Sequence, residues 1–206
     1  MNELILSPLF YVAESLGILS FALSGFILAK QKDFDVVGVY IIALVTAFGG
    51  GTIRDVVLDI QPVYWINHAE YPLIIFIMVL FLSFLKKLTI RPAWLLIPDA
   101  LGLSLFAITG AQVAHQAGHP IIIVAILATV VATFGGVLRD SLCQEIPLVF
   151  RKESTLYASL AFLGGMFYVG LTNLGTFSPT INMTLSVALI FISRLIAYKM
   201  NWRVRI

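Results

Sequence analysis

The sequence is poor in charged residues and contains a single cysteine. Asp, Glu, Lys and Arg make up 12% of the 206 residues, whereas 60% are hydrophobic and the mean hydropathy is +0.99. Soluble domains carry about 25% charged residues, so this composition indicates a polytopic membrane protein with little room for a soluble domain. The lone Cys143 excludes an intrachain disulfide and gives no metal-ligand spacing. We therefore expect no metal, no cofactor and no nucleic-acid partner.

Catalytic motifs and long loops are also missing. The chain contains neither a Gly-x-Ser-x-Gly motif nor a His-Glu-x-x-His motif, so we predict no catalytic residues and no enzyme activity. Because the connections between apolar segments are short, any functional site should lie within the helices or at their ends. The amino terminus lacks the basic region of a signal peptide, and the first apolar segment is expected to stay in the mature protein.

Seven apolar segments are predicted to span the membrane, because a spanning helix needs about 20 mainly apolar residues. They cover residues 9–29, 36–59, 71–88, 93–114, 120–143, 155–173 and 180–198. We predict an all-α polytopic membrane protein in which residues 1–206 form a single membrane domain.

The basic residues predict the orientation of the chain. With the amino terminus outside, the inward connections and the carboxyl tail hold ten of the 13 basic residues, and the outward connections hold none. The ten are Lys30, Lys32, Lys86, Lys87, Arg91, Arg151, Lys152, Lys199, Arg203 and Arg205. Lysine and arginine accumulate on the cytoplasmic side, so we expect an outer amino terminus and a cytoplasmic carboxyl terminus.

A glycine-rich motif that ends in Arg-Asp occurs twice. It runs from Gly49 to Asp55 and returns, 85 residues later, as Phe134 to Asp140. The same shift aligns further pairs without a gap over about fifty residues: Glu14 with Asp99, Gly17 with Gly102, Phe21 with Phe106, Ser24 with Thr109, and Pro62 with Pro147. Random composition would not keep rare charges, glycines and prolines in one register, so we infer an internal duplication.

The duplicated unit is a group of three helices, residues 8–90 in the first copy and 93–175 in the second. Three is odd, so the second copy enters the membrane from the opposite side. The result is an inverted repeat with a pseudo-two-fold axis in the membrane plane, as in many transporters. The seventh helix, at 178–200, has no repeat partner, and we expect it to pack outside the pair or against a neighbouring subunit.

Two clusters of intramembrane charge are predicted at different depths. The first cluster, in the outer third, consists of Glu14, Arg54 and Asp55, and the second cluster, in the inner third, consists of Asp99, Arg139 and Asp140. Charged groups in hydrocarbon cost roughly 3 kcal/mol or more unless they are paired or hydrated. We therefore expect each arginine to pair with carboxylates of its own cluster.

The repeated glycines lie between the two clusters. Each glycine weakens a helix by about 1 kcal/mol, and unwound backbone would offer carbonyl or amide groups to an ion. One hypothesis is a hydrated ion path through the clusters, with the helices opened at the glycines. Its residues would be Gly49, Gly50, Gly51, Gly135 and Gly136 together with both clusters.

The alternative hypothesis is purely structural. The arginine–carboxylate pairs would then only hold helices together, and the glycines would only permit close crossing. Ser24 and Thr109 either line the path or return hydrogen bonds to their own helices. We favour the path, because charges that merely lock a bundle need not recur in both halves beside glycines.

These motifs resemble the prokaryotic branch of the trimeric intracellular cation channel (TRIC) family. The resemblance covers roughly residues 8–198 and depends on both glycine–Arg-Asp motifs and on the three-plus-three-plus-one helix plan. It implies a homotrimer in a bacterial or archaeal plasma membrane, with a pore in each subunit that is kinked at the glycines of helices two and five. The pore would pass monovalent cations, chiefly potassium. Animal members carry Lys-Glu-Val where this chain has Thr52-Ile53-Arg54-Asp55, so their lipid regulation is not carried over.

Two functions remain open. In a passive cation channel, Asp55 and Asp140 would attract cations, and Arg54 and Arg139 would form salt bridges that narrow or gate the pore. In a secondary transporter of a small zwitterion such as glycine, a carboxylate would sit on a half-helix amino terminus. A domain label of bacterial relatives suggests glycine transport, whereas a purely structural scaffold is the least favoured hypothesis.

The expected partners are potassium or another monovalent cation, membrane lipids and further copies of the chain.

Overall fold

The computed structural model describes residues 8–84, 92–151 and 156–202. These residues form seven α-helices: α1 (Pro8–Gln31), α2 (Val36–Val57), α3 (Glu70–Phe84), α4 (Leu96–Gln116), α5 (Ile121–Leu142), α6 (Ala158–Leu174) and α7 (Pro179–Lys199). Lys86, Lys87, Arg91, Lys152, Arg203 and Arg205 lie outside the described residues, as do positions 85–88 and 155 of the predicted spans.

The helices coincide with the predicted apolar segments, and the all-α membrane fold is confirmed. Five of them are long and apolar enough to cross a membrane, namely α1, α2, α5, α7 and the span Ala93–Gln116 that contains α4. The described parts of α3 and α6, which are equivalent in the two copies, have 15 and 17 residues. At 1.5 Å per residue these are about 22 and 26 Å long.

The duplication is visible in the backbone of the turns. After α1 the chain reverses at Asp33 with φ 55°, and at the equivalent place after α4 it reverses at Gly118 with φ 82°. The amide of Phe34 donates to the carbonyl of Ala29 at 3.2 Å, and 85 residues later the amide of His119 donates to the carbonyl of Ala114 at the same distance. Equivalent residues thus end equivalent helices in the same way.

The two copies meet where α2 crosses α5 at equivalent glycines. Gly50 faces the backbone carbonyl oxygen of Val131 on α5, and Gly135 faces that of Thr46 on α2. Val131 is itself the repeat equivalent of Thr46, so the two contacts are reciprocal. A Cβ at either glycine would overlap the opposing oxygen, and the close crossing therefore depends on both residues.

The predicted opening of the helices at the glycines is wrong. Both α2 and α5 run as continuous α-helices through Gly49, Gly50 and Gly51 and through Gly135 and Gly136. The packing at the crossing compensates for the weak helix propensity of glycine, which tertiary contacts routinely override. The glycines at the crossing act as the structural hypothesis expected, by letting two helix backbones approach.

A pair of phenylalanines lies beside this crossing. The rings of Phe21 on α1 and Phe106 on α4 stack with centroids 5.3 Å apart and planes 13° from parallel. Each ring covers a glycine of the opposite helix, Phe21 over Gly102 and Phe106 over Gly17. All four residues are related by the 85-residue shift, so the repeat supplies both halves of the contact.

We expect Gly50→Ala and Gly135→Ala to destabilise the protein, because the added methyl group overlaps a backbone oxygen that cannot rotate away. Overpacking of this kind typically costs about 1–3 kcal/mol. The measurement is thermal unfolding in detergent. Gly170→Ala on α6 is the matched control, since a Cβ there meets no atom within 4 Å. Equal unfolding temperatures for all three variants would contradict the close crossing.

Candidate functional site

The first cluster is a buried network centred on Arg54. Its Nη1 donates to both carboxylate oxygens of Glu14 at 2.9 Å, and its Nε donates to Oδ1 of Asp55 at 2.8 Å. The other oxygen of Asp55 accepts the backbone amide of Tyr64 at 2.8 Å. The arginine therefore joins α1 to α2, and its neighbouring aspartate holds the turn that follows α2.

The second cluster repeats this arrangement around Arg139. Its Nη1 donates to Oδ1 of Asp99 at 2.8 Å, and its Nε donates to Oδ1 of Asp140 at 2.8 Å. Asp140 Oδ2 accepts the amide of Leu148 at 3.0 Å, and this bond holds the turn after α5. All six charged side chains of the two clusters are at least 97% buried. The pairing predicted for both clusters is confirmed.

The clusters differ in how the distant carboxylate is reached. Glu14 is one methylene longer than Asp99, and both of its carboxylate oxygens accept hydrogen bonds from Nη1 of Arg54. In the second cluster, Ser24 of the first copy accepts a further bond from Arg139 Nη1 at 2.8 Å. Ser24 also donates to the carbonyl of Phe21 in its own helix at 3.0 Å, as the second of the two alternatives for this residue predicted. Its equivalent, Thr109, donates to Phe106 of its own helix at 3.5 Å.

Two of the four repeated glycines, Gly51 and Gly136, face the charged groups instead of the helix crossing. A Cβ at Gly51 would lie 3.3 Å from Oε1 of Glu14 and 3.9 Å from Nη2 of Arg54. A Cβ at the equivalent Gly136 would lie 3.7 Å from Nη2 of Arg139. Gly51 borders a space beside the first cluster, whereas a Cβ at Gly136 would lie 3.1 Å from the hydroxyl of Tyr157. The sequence did not distinguish these two glycines from Gly50 and Gly135, which pack at the crossing.

The space beside the first cluster is small. Its lining consists of Glu14, Ile18, Ala47, Phe48, Gly51, Tyr64, Trp65 and Phe106. The room between these side chains suits about one water molecule. Phe106, one of the two stacked phenylalanines, forms part of this lining.

The second cluster has two neighbours that the sequence did not assign to it. Tyr157, at the start of α6, donates its hydroxyl to Oδ1 of Asp99 at 3.4 Å. The guanidinium of Arg194 on α7 lies 4.8 Å from the centroid of the Tyr157 ring. The signal available in the sequence was the presence of a basic residue, Arg194, inside a predicted span, but nothing in the repeat indicated its partner.

An ion pair joins the two copies near the second cluster. Lys32, in the turn after α1, lies 2.6 Å from Oε1 of Glu145, and Arg151 lies 3.0 Å from its Oε2. The hydrogen bond from Lys32 lowers the pKa of the Glu145 carboxyl. Both partners are about one-third exposed, so the bridge is worth little energetically, but it connects two turns of different repeats.

Comparison with known proteins gives consistent matches. A family model described as "Glycine transporter" matches residues 11–87 and 96–173. The UPF0126 membrane protein YvgT of Bacillus subtilis is 33% identical over 190 residues, which cover 91% of each chain.

Solved structures match along nearly the whole chain. A TRIC trimeric intracellular cation channel orthologue from Rhodobacter sphaeroides is 34% identical, with a TM-score of 0.86, covering 94% of this chain and 99% of its own. A prokaryotic TRIC channel crystallised in 0.5 M KCl is 32% identical, with a TM-score of 0.86, covering 95% and 98%. These matches confirm the resemblance seen in the sequence: the chain belongs to the prokaryotic branch of the TRIC family.

Proposed function

We propose that the protein is a passive channel for monovalent cations, chiefly potassium. The observation that carries the proposal is the pair of buried clusters, each with two carboxylates and one guanidinium and thus a net negative charge. A net negative site attracts cations and repels anions. The names of the structural neighbours, which are cation channels, support the same function.

The ion path would run within each subunit of a homotrimer, from the first cluster to the second. Glu14 and Asp99 are the carboxylates best placed to meet an ion, because Glu14 borders the space beside Gly51 and Asp99 lies near the equivalent Gly136. Asp55 and Asp140 use one oxygen for the arginine and the other for a backbone amide. Their role would be to position Arg54 and Arg139.

The constriction would lie between the clusters, where the glycines of α2 and α5 cross and Phe21 stacks on Phe106. Room for about one water molecule beside the first cluster is too little for a hydrated ion, so conduction would require these groups to separate. With the amino terminus outside, as the basic residues predict, the first cluster would serve the outer end of the path and the second cluster the cytoplasmic end.

Transport of glycine is the second candidate, and the description of the matching family model favours it. Two observations weigh against it. The space beside Glu14 is smaller than a glycine molecule, and α2 and α5 are continuous, so neither presents a half-helix amino terminus to a carboxylate. We therefore place the channel first.

Purified protein in a planar bilayer should show discrete single-channel potassium currents, because a passive path conducts many ions per opening. The parallel measurement is uptake of labelled glycine into liposomes under a sodium or proton gradient. Saturable, gradient-dependent glycine uptake without unitary currents would replace the channel with the carrier.

Glu14→Gln and Asp99→Asn should each lower the single-channel potassium conductance several-fold, because each removes one negative charge from the path while keeping the side-chain shape. Conductance is measured in symmetric potassium chloride. Asp59→Asn is the matched control: Asp59 is exposed, lies four residues after Asp55, and has φ 51°, which asparagine tolerates. A control variant that loses as much conductance as the cluster variants would refute the assignment.

Arg54→Ala and Arg139→Ala should alter both flux and stability, because each leaves two buried carboxylates without their cation. Breaking a buried ion pair costs about 3–5 kcal/mol. Flux is measured in liposomes and stability by thermal unfolding, with Lys199→Ala as a terminal control. Unchanged flux together with lower stability in both arginine variants would favour the structural hypothesis for the clusters.

A further inference from the structure

The seventh helix contacts only one half of the repeat closely. It packs against α4 and α6, both of the second copy, and its side chains Met183 and Ile190 join the apolar core of that copy. Since α7 has no repeat equivalent, its contacts distinguish the second copy from the first.

Arg194 is the residue of α7 that lies next to the second cluster. Its side chain is 97% buried, and Nη1 donates to the carbonyl of Leu156 at 3.1 Å. The guanidinium lies against one face of the Tyr157 ring, while the hydroxyl of the same ring bonds to Asp99. Tyr157 therefore separates Arg194 from Asp99, the carboxylate that pairs with Arg139. The positive charge of Arg194 and the negative charge of Asp99 are close enough to interact.

The formal charges in and around the two clusters are consequently unequal. Each cluster alone has two carboxylates and one guanidinium. Among the residues that the structure describes, the buried basic side chains are Arg54, Arg139 and Arg194. Arg139 belongs to the second cluster and Arg194 lies beside it, so the negative charge there is partly offset, whereas the described part of the chain places no second buried arginine beside the first cluster.

We propose that Arg194 makes the ion path electrically asymmetric, with weaker cation attraction at the second cluster than at the first. The inference rests on the proposed channel function. A buried unit charge acts over several ångströms because the surrounding dielectric constant is low. Cations that enter from the two sides are then attracted with different electrostatic energies. Voltages of equal size and opposite sign therefore drive unequal currents. The role of Arg194 is to set this difference; it does not contact the ion.

Arg194→Gln and Arg194→Met test the inference, and Arg194→Lys is the matched control that keeps the positive charge. Methionine is an unbranched apolar replacement that adds no buried polar side-chain group, and glutamine can still donate to the carbonyl of Leu156, so at least one neutral variant should fold. The measurement is the ratio of single-channel currents at equal and opposite voltages in symmetric potassium chloride. We expect the wild-type ratio to differ from one, and the neutral variants to move it toward one by about twofold. The lysine variant should keep most of the asymmetry.

The outcomes separate this inference from the channel proposal. Unitary currents whose ratio is the same in wild type and in both neutral variants would overturn the role of Arg194 and leave the channel standing. A lysine variant that behaves like the neutral variants would show that packing, and not charge, sets the ratio. Absence of unitary currents from the folded wild-type protein would overturn the channel, and the inference with it.

Discussion

The burial of an arginine between two carboxylates is the constraint on which the rest of this structure depends. A guanidinium in the membrane interior is costly unless it is paired with carboxylates, and here its Nε and Nη1 donors are paired in two directions. Nε of Arg54 binds the next residue of its own helix, and Nη1 reaches the neighbouring helix at Glu14. Arg139 does the same toward Asp140 and Asp99. The register of α1 on α2, and of α4 on α5, follows from these bonds.

The same bonds make the two hypotheses for the charge clusters, an ion path and a purely structural role, compatible with each other. Asp55 and Asp140 lock each arginine to the turn that follows its helix, which is a structural role. Glu14 and Asp99 pair with Nη1 on the other side of the guanidinium, and each lies beside a motif glycine, Gly51 or Gly136. In the proposed channel, Asp55 and Asp140 would hold the bundle while Glu14 and Asp99 would meet the cation, so a single charge network would serve both purposes.

The sequence predicted the helices and the clusters because rare residues in a repeated register carry much information. It could not predict the continuity of α2 and α5, because glycine propensity is a local property and the contact of Gly50 with Val131 is a tertiary one. It could not separate Gly50 from Gly51, since only the helix rotation decides which faces the crossing. The contact of Arg194 with Tyr157 was equally hidden, because it lies outside the duplication.

An inverted duplication alone produces two equal ends, and any directional property must come from residues that break the symmetry. The residues that break the two-fold symmetry lie near the second cluster. Lys32 and Glu145 form an ion pair there, whereas their repeat equivalents, Ala117 and Ile60, are apolar. Asp99 replaces the longer Glu14, and α7 adds a buried cation beside it. If the clusters lie toward opposite faces of the membrane, as the basic residues predict, these few substitutions would give the two faces different electrostatics while the fold keeps its two-fold plan.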